Sequence, residues 1–547
     1  ASPLKPISHP PLIIMPSNQP SRSLSSSILL LSTLLSTLPI ILLLHSSHSG
    51  STLSPHTQQG RYGDYEAHRR WTTYHKNLDF SEYYTYSLDY WGLDYPPFAL
   101  YLHSLLGEII SHLPNSTTHF DLTNLGYTGT VLYMRLLNST IYLTYLFTLY
   151  KLLSSSTSPT TLPIRYLYCA LTPLLPLIDL GHFQISNSLP LLLTLLTIFL
   201  TSSTPTLQPW SSRTWLGCIA FMSGVGVKQM NLYFSVVVFA HLLGWAMEPL
   251  GRKENKKNRD KRTEALDRLS SLALPVILMF LVLFLPFILT STLPNLLTRL
   301  FPSSRGAYES KVGSLWCILD VKPVNVTERI GEGTLKMMAL GATVLGTLPF
   351  AARSFLRSYS AHPTSPEDGA SLRETVRDYG GCGLAFYLFS WHVHEKTVLM
   401  PMTMIMLHSA LHLNAGEGGT KVKASNGGRW TRGTVWVGVA CWSNGFLMEL
   451  DGITWEYTGL MGIWAGVVAG AKGWGIKDIE AAKNNQRGSI ERIWTLVDGI
   501  MMPLLPLLCL AVTLASTYAP VEKTSKYPDI YELLRAAVMF INAIWGY

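Results

Sequence analysis

Residues 250–268 read LGRKENKKNRDKRTEALDR, and residues 269–292 continue as LSSLALPVILMFLVLFLPFILTST. Eight Lys or Arg are thus followed at once by a long run without a single charge. Crossing a bilayer takes about 20 apolar residues, so the second segment is long enough to span one. A cluster of Lys and Arg beside a span marks the cytosolic face. The two segments together therefore predict a membrane span and its direction.

The rest of the chain agrees. Only 14% of its 547 residues are charged, where a soluble domain carries about 25%. Mean hydropathy is +0.22. Apolar runs predict spans at 28–44, 128–152, 163–180, 184–201, 213–229, 231–248, 269–292, 333–352, 379–392, 396–413, 431–449, 452–470, 495–517 and 530–547. The expected class is an all-α polytopic membrane protein of about fourteen helices. The first run has a long leader holding only Lys5 and Arg22, and no A-x-A site follows it, so it is read as a span and not a cleaved signal. Residues 1–27, rich in Ser and Pro, are expected to be a disordered tail ahead of a membrane domain at 28–547.

A cytosolic N-terminus places the basic loops 249–268, 353–378, 414–430 and 471–494 in the cytosol together. The loops 45–127 and 293–332, the junction at 392–396 and the loop 518–529 are then lumenal. Residues 97–112 are apolar as well. Counting them as a span would put 250–268 in the lumen, and Glu108 interrupts them, so they are read as a helix on the lumenal membrane surface. Sequons at Asn115 and Asn325 fall in lumenal loops, whereas the one at Asn138 falls inside a span and is expected to stay unmodified. The six cysteines are far apart with no CxxC, which excludes a disulfide-dense scaffold or a cysteine zinc site. The net charge of +8 is accounted for by basic loops. No nucleic-acid motif accompanies it.

The chemistry concentrates in the first large loop, GRYGDYEAHRRWTTYHKNLDFSEYYTYSLDYWGLDYPPFALY, residues 60–101. It holds Asp64, Glu66, Asp79, Glu82, Asp89 and Asp94 among Trp71, Tyr83, Tyr84, Tyr86, Tyr90, Trp91 and Tyr95. Carboxylates that bind hydroxyls, beside rings that cover a pyranose face, make a sugar site. The same aromatics equally suit an interfacial belt at headgroup depth. Pro96 and Pro97 stiffen the backbone after Asp94. A second stretch, Trp391-His392-Val393-His394-Glu395-Lys396, puts ionisable groups at a membrane boundary, where they are costly unless paired or used. Its H-x-H-E pattern lacks a third-ligand motif and Lys396 favours an anion, so no metal and no cofactor is expected. Arg299 and Arg305 in a third stretch suit a lipid phosphate or headgroup snorkelling. Asp179 to Gln184 and Lys228-Gln229-Met230 lie at span edges on the same side.

These segments resemble one known family. Gly63-Asp64-Tyr65-Glu66-Ala67-His68-Arg69-Arg70-Trp71 is similar to its G-D-[FY]-E-A-x-R-x-W, and Tyr90-Trp91-Gly92-Leu93-Asp94-Tyr95-Pro96-Pro97 matches its Y-W-G-L-D-Y-P-P. Gly181-His182-Phe183-Gln184, Lys228-Gln229-Met230, Arg299 to Pro302 with Arg305-Gly306, Val393 to Lys396, and Lys526 to Asp529 follow in the family's order. The family is the endoplasmic-reticulum dolichyl-phosphate-glucose α-1,3-glucosyltransferases of the GT-C superfamily. Gly92, Gly181, Gln229 and Met230 side with the member that adds the first glucose to the nine-mannose lipid-linked oligosaccharide, as against its second-glucose sister. His68 stands where Gln is common, and Ile185-Ser186-Asn187 departs from the usual Tyr-Asn.

The resemblance implies a GT-C fold, a lumenal active site and an inverting transfer from dolichyl phosphate glucose to a dolichyl-diphosphate-linked acceptor. Asp64 is then the expected base. Lys396 and His394, with His392, Arg299 and Arg305, are expected to meet the donor phosphate. Asp94, Tyr95, Trp91, His182, Gln184 and Gln229 are expected on the substrates. Glu66 is grouped with them, chiefly as an ion-pairing residue that orients its neighbours. The expected partners are the two lipid substrates and the bilayer, with no nucleic acid, and the expected state is a monomer. A transporter, or a GT-C enzyme using dolichyl phosphate mannose, would fit the same apolar architecture. The clustering of acids in one loop, away from the bilayer midplane, favours the transferase.

Overall fold

A computed structural model describes residues 35, 37–40, 52–53, 60–61, 63–86, 92–114, 116–122, 127, 129–157, 159, 161–181, 183, 187–202, 207–252, 258–301, 306, 312–321, 324–360, 368–413, 425–444, 454–481, 489–518 and 530–546. The expected tail at 1–27 and most of the first expected span lie outside them.

Among the described residues the fold is helical, apart from one short antiparallel ladder of β1 (Thr52–Leu53) and β2 (Gly60–Arg61). The region before the main bundle forms α1 (Gly63–Trp71) and α2 (Pro97–Ser111). The bundle follows as α3 (Val131–Ser154), α4 (Leu162–Ala170), α5 (Ser188–Thr201), α6 (Ser212–Val227), α7 (Ser235–Gly251), α8 (Asn258–Leu289), α9 (Leu293–Leu300), α10 (Glu332–Tyr359), α11 (Asp368–Phe389) and α12 (Leu399–His412). It ends with α13 (Ser425–Ser443), α14 (Thr454–Ala481), α15 (Ser489–Tyr518) and α16 (Ile530–Gly546).

By length and composition, four helical segments among the described residues are long and apolar enough to cross a membrane: Gln229–Gly251, Asp260–Leu289, Glu332–Tyr359 and Val497–Ser516. The apolar surface of α8 stays outside the protein core: Ile277, Phe280, Val282 and Leu289 are all exposed. So large an unburied apolar face fits lipid as its solvent.

Several expectations change, and the expected loops 353–378, 414–430 and 471–494 are in part helical, in α10, α11, α13, α14 and α15. The run 163–180 is not one helix. It breaks after Ala170 and resumes as a short turn, Leu174–Pro176, that widens into a π-helical segment, Leu177–Gly181. Pro173 and Pro176 remove backbone donors there, and a π turn is the local answer to a broken ladder. The basic stretch 249–268 is not all loop: α8 begins at Asn258, and residues 253–257 lie outside the described set. Its charges sit at helical spacing and pair. Arg268 bonds Glu264 four residues earlier at 2.8 Å, and both Arg252 and Arg268 reach Glu248.

The main core runs through α3 to α7 and α10 to α13 around Tyr145, Leu149, Leu195, Phe234, Tyr379 and Met404. A second cluster fixes the site. Trp71, Tyr74, Tyr83, Tyr84, Leu93 and Leu100 of the first loop pack on Phe287, Leu296 and Leu300, where α8 turns into α9. The aromatics read as a sugar platform or interfacial belt are therefore partly core. Burying a ring of this size is worth a few kcal/mol, enough to seat the loop on the bundle.

Candidate functional site

Helix α1 carries Asp64 and Glu66 in its first turn and His68, Arg69 and Arg70 in its last. That order matches the helix dipole at both ends. Helical spacing then sorts the side chains by face. Asp64 and His68, four apart, share one face. Glu66, Arg69 and Arg70 share another.

The second face is closed. Glu66 and Arg69 are fully buried and meet in a fork, with Arg69 Nε to Glu66 Oε2 at 2.9 Å and Arg69 Nη2 to Glu66 Oε1 at 2.6 Å. Arg69 also donates to the His119 carbonyl, and Arg70 Nη2 donates to the Leu122 carbonyl at 2.7 Å. A directed chain runs alongside. Thr72 Oγ1 donates to the Arg69 carbonyl at 2.6 Å, so it accepts from His119 Nε2 at 2.8 Å. His119 Nδ1 therefore accepts from Thr130 Oγ1 at 2.7 Å, and Thr130 in turn accepts from the Tyr65 hydroxyl at 3.1 Å. Burial pushes the Tyr65 phenol well above its usual range and holds His119 down to about 3. Glu66 thus serves as the ion-pairing residue that braces α1 from behind.

Helix α2 lies across α1 at close range. A Cβ on Gly107 would stand 1.9 Å from the Thr72 carbonyl oxygen, so only glycine permits this approach. The contact brings His103 to His68, with Nε2 and Nδ1 2.8 Å apart and the ring planes within 9° of parallel.

The open face of α1 meets residues from the rest of the chain. Lys396, on the 3-10 turn Glu395–Val398 between α11 and α12, donates to Asp64 Oδ2 at 2.9 Å. Their sequence separation is 332 residues. The pair is reachable from solvent, with side-chain exposures of 30% for Asp64 and 14% for Lys396. Tyr95 is the hub of this group. Its ring lies 5.0 Å from Trp71 and 6.0 Å from His68, its carbonyl accepts from the Tyr84 hydroxyl at 2.8 Å, and the Lys228 ammonium sits 5.2 Å from its ring centre. Gln229 Nε2 donates to the Asp94 carbonyl at 3.3 Å, and Arg299 Nε to the Leu93 carbonyl at 3.2 Å.

Lys228 is buried and held from the bundle side. Its ammonium donates to Asn187 Oδ1 at 2.7 Å, and Asn187 Nδ2 donates to Asp179 Oδ1 at 2.8 Å. The other carboxylate oxygen of Asp179 accepts from the Ser188 backbone and hydroxyl. The π segment is what points Asp179 at the start of α5.

His392 and His394 lie just before the same turn. The His392 backbone is left-handed, φ 57°, a conformation histidine adopts more readily than most residues, and its Nδ1 donates to the Gly306 carbonyl at 2.9 Å. Its ring lies 5.1 Å from that of His394. That bond ties the segment after α9 to the Lys396 turn.

Asp64, Lys396, Tyr95, Asp94, Gln229 and Arg299 are therefore drawn into one group, with His392 and His394 beside it. Trp91, His182, Gln184 and Arg305 lie outside the described residues. Lys228 and Asp179 were singled out at span edges, but two features escaped the sequence reading: the Asn187 link that joins them and the His68–His103 couple. Lys228 had a signal, since a lysine at a span edge must be paired. His103 had none, as a histidine in an apolar run is most often a satisfied core residue.

A helical protein with membrane-length spans, carrying an acid–lysine pair and two further cations beside sugar-compatible rings at one helix end, has the makings of an enzyme acting on a polar, anionic lipid. Residues 37–547 match the ALG6, ALG8 glycosyltransferase family, and the chain belongs to that family. A Caenorhabditis elegans protein is 35% identical over 383 residues, 68% of each chain, and a Dictyostelium discoideum protein 30% identical over 71% of each. Both are named probable dolichyl pyrophosphate Man9GlcNAc2 alpha-1,3-glucosyltransferase. The Saccharomyces cerevisiae protein of that name, without the qualifier, is 32% identical over 65% of this chain and 62% of its own.

Proposed function

We propose that this chain transfers glucose from dolichyl phosphate glucose to the terminal mannose of the dolichyl-diphosphate-linked nine-mannose oligosaccharide, forming an α-1,3 bond. The observation that carries the mechanism is the 2.9 Å contact of Lys396 with Asp64. It joins an acid and a cation that the sequence holds far apart, in a position open to substrate. The relatives named above support the acceptor and the linkage.

The donor sugar is β-linked and the product α, so one displacement inverts the anomeric carbon. Asp64 takes the proton from the mannose 3-hydroxyl as its oxygen bonds to glucose C1. The bond from C1 to the phosphate oxygen breaks, and dolichyl phosphate leaves as an anion. A stable anion needs positive charge at its oxygens and no general acid. Lys396 stands beside the base and supplies that charge, with Lys228, Arg299, His392 and His394 around it. Asp94, Tyr95 and Gln229 line the side on which sugar hydroxyls and ring faces would sit. This scheme differs from a glycosidase, where two carboxylates flank one bond.

The remaining architecture belongs to the same reading: a GT-C fold of about fourteen spans, a cytosolic N-terminus, an active site facing the endoplasmic-reticulum lumen, and a monomer. The test is a paired assay on purified protein, supplying labelled donor with either the nine-mannose acceptor or its monoglucosylated product. Label on the nine-mannose acceptor alone is the expected result. Label on the other alone assigns the second-glucose step. Glycosidic product from dolichyl phosphate mannose in its place would move the donor assignment.

A further inference from the structure

Asn187 stands just before α5, where an Asn side chain ordinarily accepts from the first backbone N–H groups of its own helix. Among the described residues it makes no such bond. The Asp179 carboxylate has taken over that work, since its Oδ2 accepts from the Ser188 backbone N–H and from the Ser188 hydroxyl. Asp179 is itself fixed in the π segment, and its carbonyl accepts from Asn138 Nδ2 at 2.5 Å. The Asn187 amide is thereby left to bridge two charged groups. Its Nδ2 donates to Asp179 Oδ1 at 2.8 Å, and its Oδ1 accepts from the Lys228 ammonium at 2.7 Å. A carboxylate only accepts and an ammonium only donates. Each end of the bridge therefore admits one orientation of the amide, and the two agree. Asp179, Asn187 and Ser188 are fully buried, and Lys228 is 5% exposed. The far side of the ammonium is the site: it lies 5.2 Å from the centre of the Tyr95 ring, which packs on Trp71 and His68 of α1.

We propose that Asn187 is a positioning residue for the reaction: an amide whose direction is set by Asp179, so that its oxygen seats the Lys228 ammonium beside the Tyr95 ring. It rests on the proposed function only in taking Lys228 and Tyr95 as groups that meet the substrates.

The experiment compares Asn187→Leu, which keeps the branching but can neither donate nor accept, with Asn187→Asp. Two adjacent buried carboxyls share one proton. The new carboxyl then donates its O–H to Asp179 in place of Nδ2, and its other oxygen still accepts from Lys228. Asn187→Leu should lower kcat/KM per folded molecule by roughly tenfold or more, the size of losing one hydrogen bond to a charged group. Asn187→Asp should stay within about threefold of the wild type. Equal loss in the two variants overturns the proposal, as does a lower Tm for Asn187→Leu with kcat/KM per folded molecule unchanged.

A second arm does not depend on the Leu variant folding. In Asp179→Asn the new amide oxygen keeps both Ser188 donors, so its nitrogen faces Asn187. That turns the Asn187 amide round and points its nitrogen at the ammonium, donor against donor. Transfer should fall at least as far as in Asn187→Leu. Adding Asn187→Asp to this variant restores an acceptor toward both neighbours, and most of the loss should be regained. Wild-type activity in Asp179→Asn, or a double variant as poor as Asp179→Asn alone, overturns the proposal. Wild-type transfer in the same assay separates the readings. A different acceptor or donor sugar revises the proposed function, while the ratio of Asn187→Leu to Asn187→Asp on that substrate still decides this one.

Discussion

The far end of α7 and the open face of α1 handle charge in opposite ways. At the end of α7 farthest from Lys228, Glu248 takes a fork from Arg252 and a further bond from Arg268, which also holds Glu264. Asp378 on α11 is fully buried between Arg353 and Arg357 of α10. Each of these carboxylates meets a planar guanidinium within a few turns of helix or across one helix pair, and the geometry is self-sufficient. On the open face of α1, Asp64 meets a lysine brought from the far side of the sequence, and burial holds His68 and His103 beside it neutral. A guanidinium fork fixes a carboxylate, whereas an ammonium is a point charge on a flexible stem that can change partners. Guanidinium forks, Glu66–Arg69 behind the site included, fix their carboxylates, and under the proposed mechanism the Lys396 ammonium stands where charge is to be shared with a substrate.

The largest expected break is Asp64→Asn. It keeps the shape and removes the base, so transfer should fall by roughly 10²–10⁴-fold with donor binding retained. Activity within tenfold of the wild type would remove Asp64 from that role. Next is Lys396→Ala. Losing one charge from a leaving-group site should cost about 10²–10³-fold in kcat. It should also weaken binding of dolichyl phosphate, measured by product inhibition. If only stability changes, Lys396 belongs with the structural pairs.

The third prediction concerns the guanidinium pairs. Asp378→Asn should lower stability by about 1–3 kcal/mol, discounted by the partial exposure of its arginines, and leave kcat per folded molecule unchanged. A kcat effect as large as that of Lys396→Ala would erase the contrast between the two regions. The smallest effect concerns pH. His103 and His119 have folded pKa values near 4 and 3, against about 6.5 unfolded. Depressed values mean that their contribution is present above pH 6.5 and is lost as pH falls toward 4. Thermal unfolding in detergent should show that decline, and His103→Phe should make it shallower. A flat wild-type curve over this range would contradict the neutral assignment.

Legibility differed by residue. Periodicity is not needed to find an apolar run, so the positions of α3, α5, α6, α7, α12 and α16 follow closely from the expected spans, whereas α10, α11, α13, α14 and α15 reach into the expected basic loops. The break in 163–180 was hidden because Pro is tolerated in membrane helices, and composition does not say where a neighbour re-satisfies the freed groups. Asp64 and Lys396 were both legible as chemistry, through motif resemblance, but their contact was not. Glu66, in the same motif, was told apart from Asp64 by which face of α1 each occupies.

The sequence by itself determined that this protein is apolar and helical, which loops carry its charges, and which family it belongs to, because apolar content, charge runs and motifs are local properties of the chain. The tertiary structure alone decided that Asp64 faces Lys396, that Lys228 is bracketed through Asn187 to Asp179, and that His68 bonds His103. Those facts depend on how α1, α2 and the turn before α12 approach one another. Close packing at positions such as Gly107 sets that approach, and no local pattern encodes it.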